Sequence, residues 1–166
     1  VKQTLEYAIK FKDWDIITFQ QASGDSGLST TYGDLSWLVD SVQRRSTNPN
    51  VKFFFNMTWA YQQNSTHSAF PRYNSNQITM YNAILSAIDK SVDMRVIPNG
   101  TAIQNARTTF VGDNLTRDGY HLTYGFGRYV AGLTLVGRLT CEDLSKVTFV
   151  PSGISDEYRI TSVDYL

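Results

Sequence analysis

The chain has 166 residues, enough to bury the core of one domain and too few for two ordinary ones. Lys+Arg and Asp+Glu number 15 each, so the formal net charge is zero, which excludes the basic excess expected of a nucleic-acid binder. No run approaches the roughly 18–20 apolar residues of a membrane span, and a single cysteine, Cys141, excludes an internal disulfide. The two histidines are far apart and not at metal-ligand spacing, so neither a metal nor a cofactor is expected.

In chain order, Val1 to Lys12 reads as an amphipathic helix with Leu5, Ala8 and Ile9 at helical spacing. Asp15 to Gln20 is a β-branched run that suits a buried strand, followed by a Ser/Gly-rich loop from Ala22 to Thr30. Thr31 with Asp34 is placed to cap the next helix, whose apolar face is Leu35, Leu38, Val39 and Val42. Arg44-Arg45 at its end complement the helix dipole. Asn48-Pro49-Asn50 marks a turn before a second strand, Val51 to Phe55. A long polar loop, Asn56 to Pro71, leads into the clearest helical stripe: Ile78, Tyr81, Ile84, Leu85 and Ile88. Met94 to Ile97 reads as a third strand, ended by Pro98-Asn99-Gly100. A helix through Ile103 and Ala106, a polar loop from Thr109 to Asp118 and a last helix carrying Phe126, Tyr129, Val130 and Leu133 complete the order. Gly127 and Gly132 in that last helix would let it pack closely on a neighbour.

Alternation of this kind predicts an α/β fold with a mainly parallel sheet and helices on both of its faces. Ligands in such folds bind at the carboxyl ends of the strands, here Gln20 to Ser26, Asn56 to Tyr61 and Pro98 to Thr101. Three strands make a thin sheet for such a domain, which points to sequence missing at the N-terminal side.

Asp118-x-x-His121 is the leading chemical motif. A carboxylate three residues before a histidine can accept from imidazole Nδ1, which leaves Nε2 free as a general base toward a hydroxyl. On spacing alone the pair reads more readily as structural. Its place after the third strand and crossover, entering a helix, is what favours a catalytic role. Gly24-Asp25-Ser26 looks like the start of a nucleophile signature, but Ser26 lies in a loose loop well past the strand and reads as part of a turn. Gln20, Gln21 and Ser23 place amides and backbone N–H groups just past a strand end, where they either cap the strand or form an oxyanion site. Trp59 and Tyr61 follow the second strand and could wall a cleft with stacking surfaces for a sugar. His67 reads as an exposed loop histidine.

Four ordered segments carry a resemblance: Trp14 to Ser23, Thr58 to Tyr61, Ile97 to Arg107, and Arg117 to Gly125 continuing as Gly127 to Gly132. Together they resemble the bacterial domain-of-unknown-function branch of the SGNH (GDSL-like) hydrolase superfamily. The resemblance implies a three-layer α/β/α flavodoxin-like fold and a Ser-His-Asp triad hydrolysing acyl esters, with O-acetyl groups of carbohydrates as the substrate class. His121 would then be the general base and Asp118 its orienting partner, while Gln20 to Ser23 occupy the block that helps hold the oxyanion. The superfamily carries its serine at the end of an earlier strand, and nothing like that block precedes Trp14. Residues 1–166 are therefore expected to form a single domain lacking the first strand and nucleophile block. The alternatives are a non-catalytic carbohydrate-binding or interaction module that uses Trp59 and Tyr61, and a homodimer formed through the sheet edge left open.

Overall fold

In the computed structural model, which describes residues 3–155 together with 157 and 158, the three apolar runs pair into one sheet. They are β1 (Ile16–Phe19), β2 (Lys52–Asn56) and β3 (Arg95–Ile97). Their order is β1-β2-β3 and both pairings are parallel. The sequence expectation of an α/β chain with parallel strands is met, with the third strand starting one residue later, at Arg95.

Register decides which side chains share a face. Ile17 pairs with Phe53, and Phe19 pairs with Phe55, which in turn pairs with Val96. These five lie on the side of one cluster, against Ile9, Val42, Ile84 and Ile88 from the helices. On the other face Phe54 and Ile97 are 2% and 0% exposed. A strand covered on both faces cannot alternate apolar with polar, which is why residues 53–55 are three phenylalanines in a row. Each fully buried phenylalanine contributes about 1.5–3 kcal/mol relative to an exposed one.

Among the described residues the strands are connected and flanked by α1 (Leu5–Lys10), α2 (Leu35–Arg45), α3 (Gln77–Ser91), α4 (Asn99–Ala106) and α5 (Phe126–Thr140). The first is shorter than its periodicity predicts, because Thr4 caps it by accepting from Tyr7 N and only Ile9 on it is buried. The expected Thr31/Asp34 cap is not made. Asp34 forms no capping bond, and Thr31 lies in a short 3-10 turn where its hydroxyl donates to Leu28 O. On α3, Asn76 does cap, accepting from Thr79 N at 2.8 Å.

A second cluster packs α4 on α5 through Ala102, Ile103, Ala106, Val130 and Leu133. Gly127 behaves as the sequence predicts, since a Cβ there would lie 2.4 Å from Leu115 O. Gly132 does not: nothing lies within 4 Å of its Cβ position. The stretch from Asn56 to Pro71 is less polar in space than in sequence, with Met57, Ala60, Tyr61, Ala69 and Phe70 all buried. No helix among the described residues is long and apolar enough to cross a membrane.

Candidate active site

Asp118 and His121 sit in a tight hairpin. Thr116 and Leu122 form an antiparallel bridge, and Arg117 N donates to His121 O at 2.9 Å. The turn between them requires glycine. Gly119 has φ +89°, and a Cβ on it would lie 2.9 Å from Ser65 Oγ and 3.0 Å from Ser65 Cα.

Asp118 closes the turn and holds the imidazole at once. Its Oδ1 accepts from Tyr120 N at 3.2 Å and from His121 N at 2.7 Å, as aspartate does in such turns. Its Oδ2 meets His121 Nδ1 at 2.6 Å. With the carboxylate as acceptor, Nδ1 carries the proton and Nε2 keeps its lone pair. The His121 side chain is 53% exposed, so the free nitrogen is open to an incoming molecule.

The hairpin is fastened to the segment that leaves β2. Trp59 Nε1 donates to Tyr120 O at 2.7 Å, Gln62 N donates to Gly119 O at 2.8 Å, and Thr116 Oγ1 donates to Gln62 Oε1 at 2.5 Å. The dyad thereby takes its position from the carboxyl end of the central strand, where open α/β sheets hold their ligands. Tyr120 lies against the His121 ring with centroids 4.1 Å apart, and His67 packs on the far partners of that tyrosine, 4.6 Å from both Tyr120 and Tyr61. His67 Nδ1 accepts from Ala69 N at 3.1 Å. The expectation of an exposed loop histidine is thus corrected: His67 is half-buried between two tyrosines.

Desolvation works to raise the Asp118 carboxyl, but the His121 ring and the two backbone donors outweigh it and hold the group at about 2, against an ordinary 3.8. A carboxyl with a depressed folded pKa contributes stability above its ordinary value, and that contribution is lost as pH falls through about 2. The expected result of a carboxyl-carbon NMR titration is a midpoint near 2 for Asp118. In His121→Ala the midpoint moves up, because the hydrogen bond and charge of the ring are removed. A midpoint unchanged by that substitution would show that the imidazole is not the partner.

The remaining candidates separate into groups. Gln21 is occupied locally: Nε2 donates to Thr31 O at 2.9 Å, and Oε1 accepts from Ala22 N at 2.8 Å. Ser23 Oγ lies 3.1 Å from Tyr61 OH. Tyr61 has no exposed surface, so it supports Ser23 and Tyr120 rather than offering a face to a sugar, and the ring of Trp59 is half-buried over the hairpin. Ser26 is 1% exposed and its hydroxyl donates to Ser23 O at 2.8 Å, in keeping with a turn residue.

Gln20 belongs to an arrangement that the sequence does not announce. Asn99 Nδ2 donates to Asn56 Oδ1 at 2.6 Å, and Asn56 Nδ2 donates to Gln20 Oε1 at 2.5 Å. One amide from the carboxyl end of each strand joins this chain, all polarised in the same direction. The Gln20 amide N–H groups are left pointing onward with no acceptor among the described residues. Amides in series polarise one another, so this terminal donor is strengthened. A cavity of about 230 Å³ opens beside Gln20 and Gln21, walled by Tyr32, Trp37 and Phe55. Another, of about 550 Å³, lies between β3 and α5 and shares no lining residue with the dyad. Among the described residues no group of three or more His, Cys, Asp and Glu side chains is placed to hold a metal ion.

A family profile described as "Domain of unknown function (DUF4886)" matches residues 2–162. The crystal structure of a DUF4886 family protein from Bacteroides uniformis ATCC 8492 is 37% identical and matches with a TM-score of 0.90. That match covers 97% of this chain and 65% of the Bacteroides uniformis chain, so this chain spans less than two thirds of that protein. No curated protein matches. Neither of the matching descriptions carries an activity.

Proposed function

Because the chain belongs to the DUF4886 family, whose description leaves the chemistry open, we propose from the site itself that it is the acid–base part of a serine-type ester hydrolase acting on acyl esters of carbohydrates. The observation that carries this is the 2.6 Å contact from Asp118 Oδ2 to His121 Nδ1, with Nε2 of a half-exposed ring left free. In the proposed reaction Nε2 takes the proton of a serine hydroxyl as its oxygen bonds to the ester carbonyl carbon. The developing imidazolium is stabilised by Asp118. His121 then returns the proton to the departing alkoxide as the ester C–O bond breaks, and water hydrolyses the acyl group by the same steps. Gln20, at the end of the amide chain, supplies a donor for the carbonyl oxygen. Ser26 is too buried to be the nucleophile. The proposal therefore draws the serine from additional chain, such as the longer Bacteroides uniformis protein has. It also places the parallel sheet within the flavodoxin-like three-layer arrangement of the SGNH hydrolases.

The test is hydrolysis of p-nitrophenyl acetate by this chain and by a longer form extended to the length of the Bacteroides uniformis relative. The longer form is expected to turn over the ester, and His121→Ala to reduce kcat to about a hundredth or less. A longer form that is inactive, or one indifferent to His121→Ala, would remove the basis for the proposal.

A further inference from the structure

Beside the dyad the chain gathers positive charge that the proposed hydrolysis does not use. The guanidinium carbons of Arg117 and Arg128 each lie 4.5 Å from the ring centroid of Tyr124, so the two like charges are at most twice that distance apart. Tyr124 itself is 71% exposed. Stacking on an aromatic ring engages a guanidinium by its flat face and leaves the N–H edge free in its own plane, the geometry that binds oxyanions.

Among the described residues little neutralises this pair. The ion pair that either arginine makes among the described residues is that of Arg117 Nε with Asp118 Oδ2, at 3.9 Å, and the same oxygen already accepts the His121 imidazole at 2.6 Å. Arg128 lies in the first turn of α5, which holds no acidic residue. A helix start is itself electropositive, so a cation there is disfavoured unless something else makes use of it. Thr123 satisfies part of the helix start, its hydroxyl accepting from Gly127 N and its carbonyl from Arg128 N.

We propose that Arg117 and Arg128, braced on Tyr124, form a subsite for an anionic group, carboxylate or sulfate, on the sugar whose ester is cleaved. This rests on the hydrolase reading above and deepens it: the substrate is an ester of an acidic glycan. Arg117 adjoins Asp118 in the same hairpin, so an anion held there lies about one side chain's length from the reacting centre.

The experiment compares acetate release by the longer form from O-acetylated galacturonan fragments, which carry carboxylates, with release from O-acetylated xylan fragments, which are neutral. The wild type is expected to favour the acidic substrate. Arg128→Gln is expected to lower the acidic-to-neutral ratio of kcat/KM about tenfold, mainly through KM. High salt should erode the same preference, since exposed charges are screened. No preference in the wild type, or an equal loss on both substrates in the variant, would overturn the subsite. Inhibition by free galacturonate oligomers against sulfated oligomers tells which anion seats there, and inhibition by neither would count against both. Should the longer form hydrolyse no ester, the hydrolase reading fails separately. The subsite is then read by calorimetry on this chain: galacturonate-oligomer binding lost in Arg128→Gln upholds it, and absent or unaltered binding, or tighter binding of single-stranded RNA, overturns it.

Discussion

Asp118→Asn is expected to lower kcat for ester hydrolysis by about 10⁴ while leaving the hairpin folded. The asparagine carbonyl can still accept from Tyr120 N and His121 N, the two bonds that shape the turn. Its amide nitrogen, however, now faces His121 Nδ1, where the carboxylate Oδ2 had been. An NH₂ group donates, so Nδ1 must become the acceptor and the proton moves to Nε2. The ring then presents a donor where a base is needed, and the imidazolium formed during reaction loses its counter-charge. Asp118→Ala removes the turn bonds as well, so it should combine the same loss of rate with a less ordered loop. The comparison separates the two roles of one side chain. If Asp118→Asn retained near-normal kcat in the longer form, the pair would be structural and another base would be required. Amide-proton spectra of the two variants check that the hairpin survives in the first.

Gly100→Ala is expected to cost about 3 kcal/mol or more of stability, read as a lower urea midpoint with little change in slope. A Cβ at this position would lie 2.1 Å from Thr58 O and 2.8 Å from Met57 Cε. The methionine end could swing aside, whereas the Thr58 carbonyl is backbone and cannot. Gly100 N also donates to Met57 O at 3.2 Å, so the start of α4 is bonded to the same segment it nearly touches. Relief requires either α4 to withdraw, breaking that bond, or residues 57–62 to move. The second route displaces Trp59 and Gln62, which hold the Asp118–His121 hairpin, so the proposed hydrolysis in the longer form should decline along with stability. Gly33→Ala is the matched control, since nothing lies within 4 Å of its Cβ position. Equal midpoints for the two variants would show that the close approach at Gly100 is not what the packing depends on.

Elements whose signals are local are legible in the amino-acid order. Val51 to Phe55 reads as a strand and residues 52–56 form β2. The stripe Ile78, Tyr81, Ile84, Leu85 and Ile88 reads as a helix and lies on α3, where Ile84 and Ile88 are buried but Ile78 and Leu85 are exposed. Asp118 and His121 are three residues apart, and the carboxylate reaches both the ring and the backbone amides within a single turn, so their pairing follows from the chain's own short-range geometry. Where the sequence misleads, contacts between distant segments decide. The stretch from Asn56 to Pro71 counts as polar by composition, yet Tyr61 and Phe70 within it are core residues that face α3 and the dyad hairpin. Thr31 is spaced to cap α2, but a 3-10 turn claims its hydroxyl first.

Amino-acid order by itself determined the alternation of strand and helix, the parallel sheet that such alternation requires, and the aspartate–histidine pair. The alternation and the pair depend on hydrogen bonds and side-chain spacing within a few residues, and the parallel pairing follows because each strand is joined to the next through a helical crossover. Only the tertiary structure decided what steadies that pair and what surrounds it. His67 and Tyr120, Gln62 and Gly119, and Asn56 and Asn99 meet because separate segments close on one another near the ends of the strands. The same closure buried Ser26 and Tyr61 and left His121 open. Loop closure and packing act across the whole chain, and their outcome is carried by the complete set of buried contacts rather than by any motif.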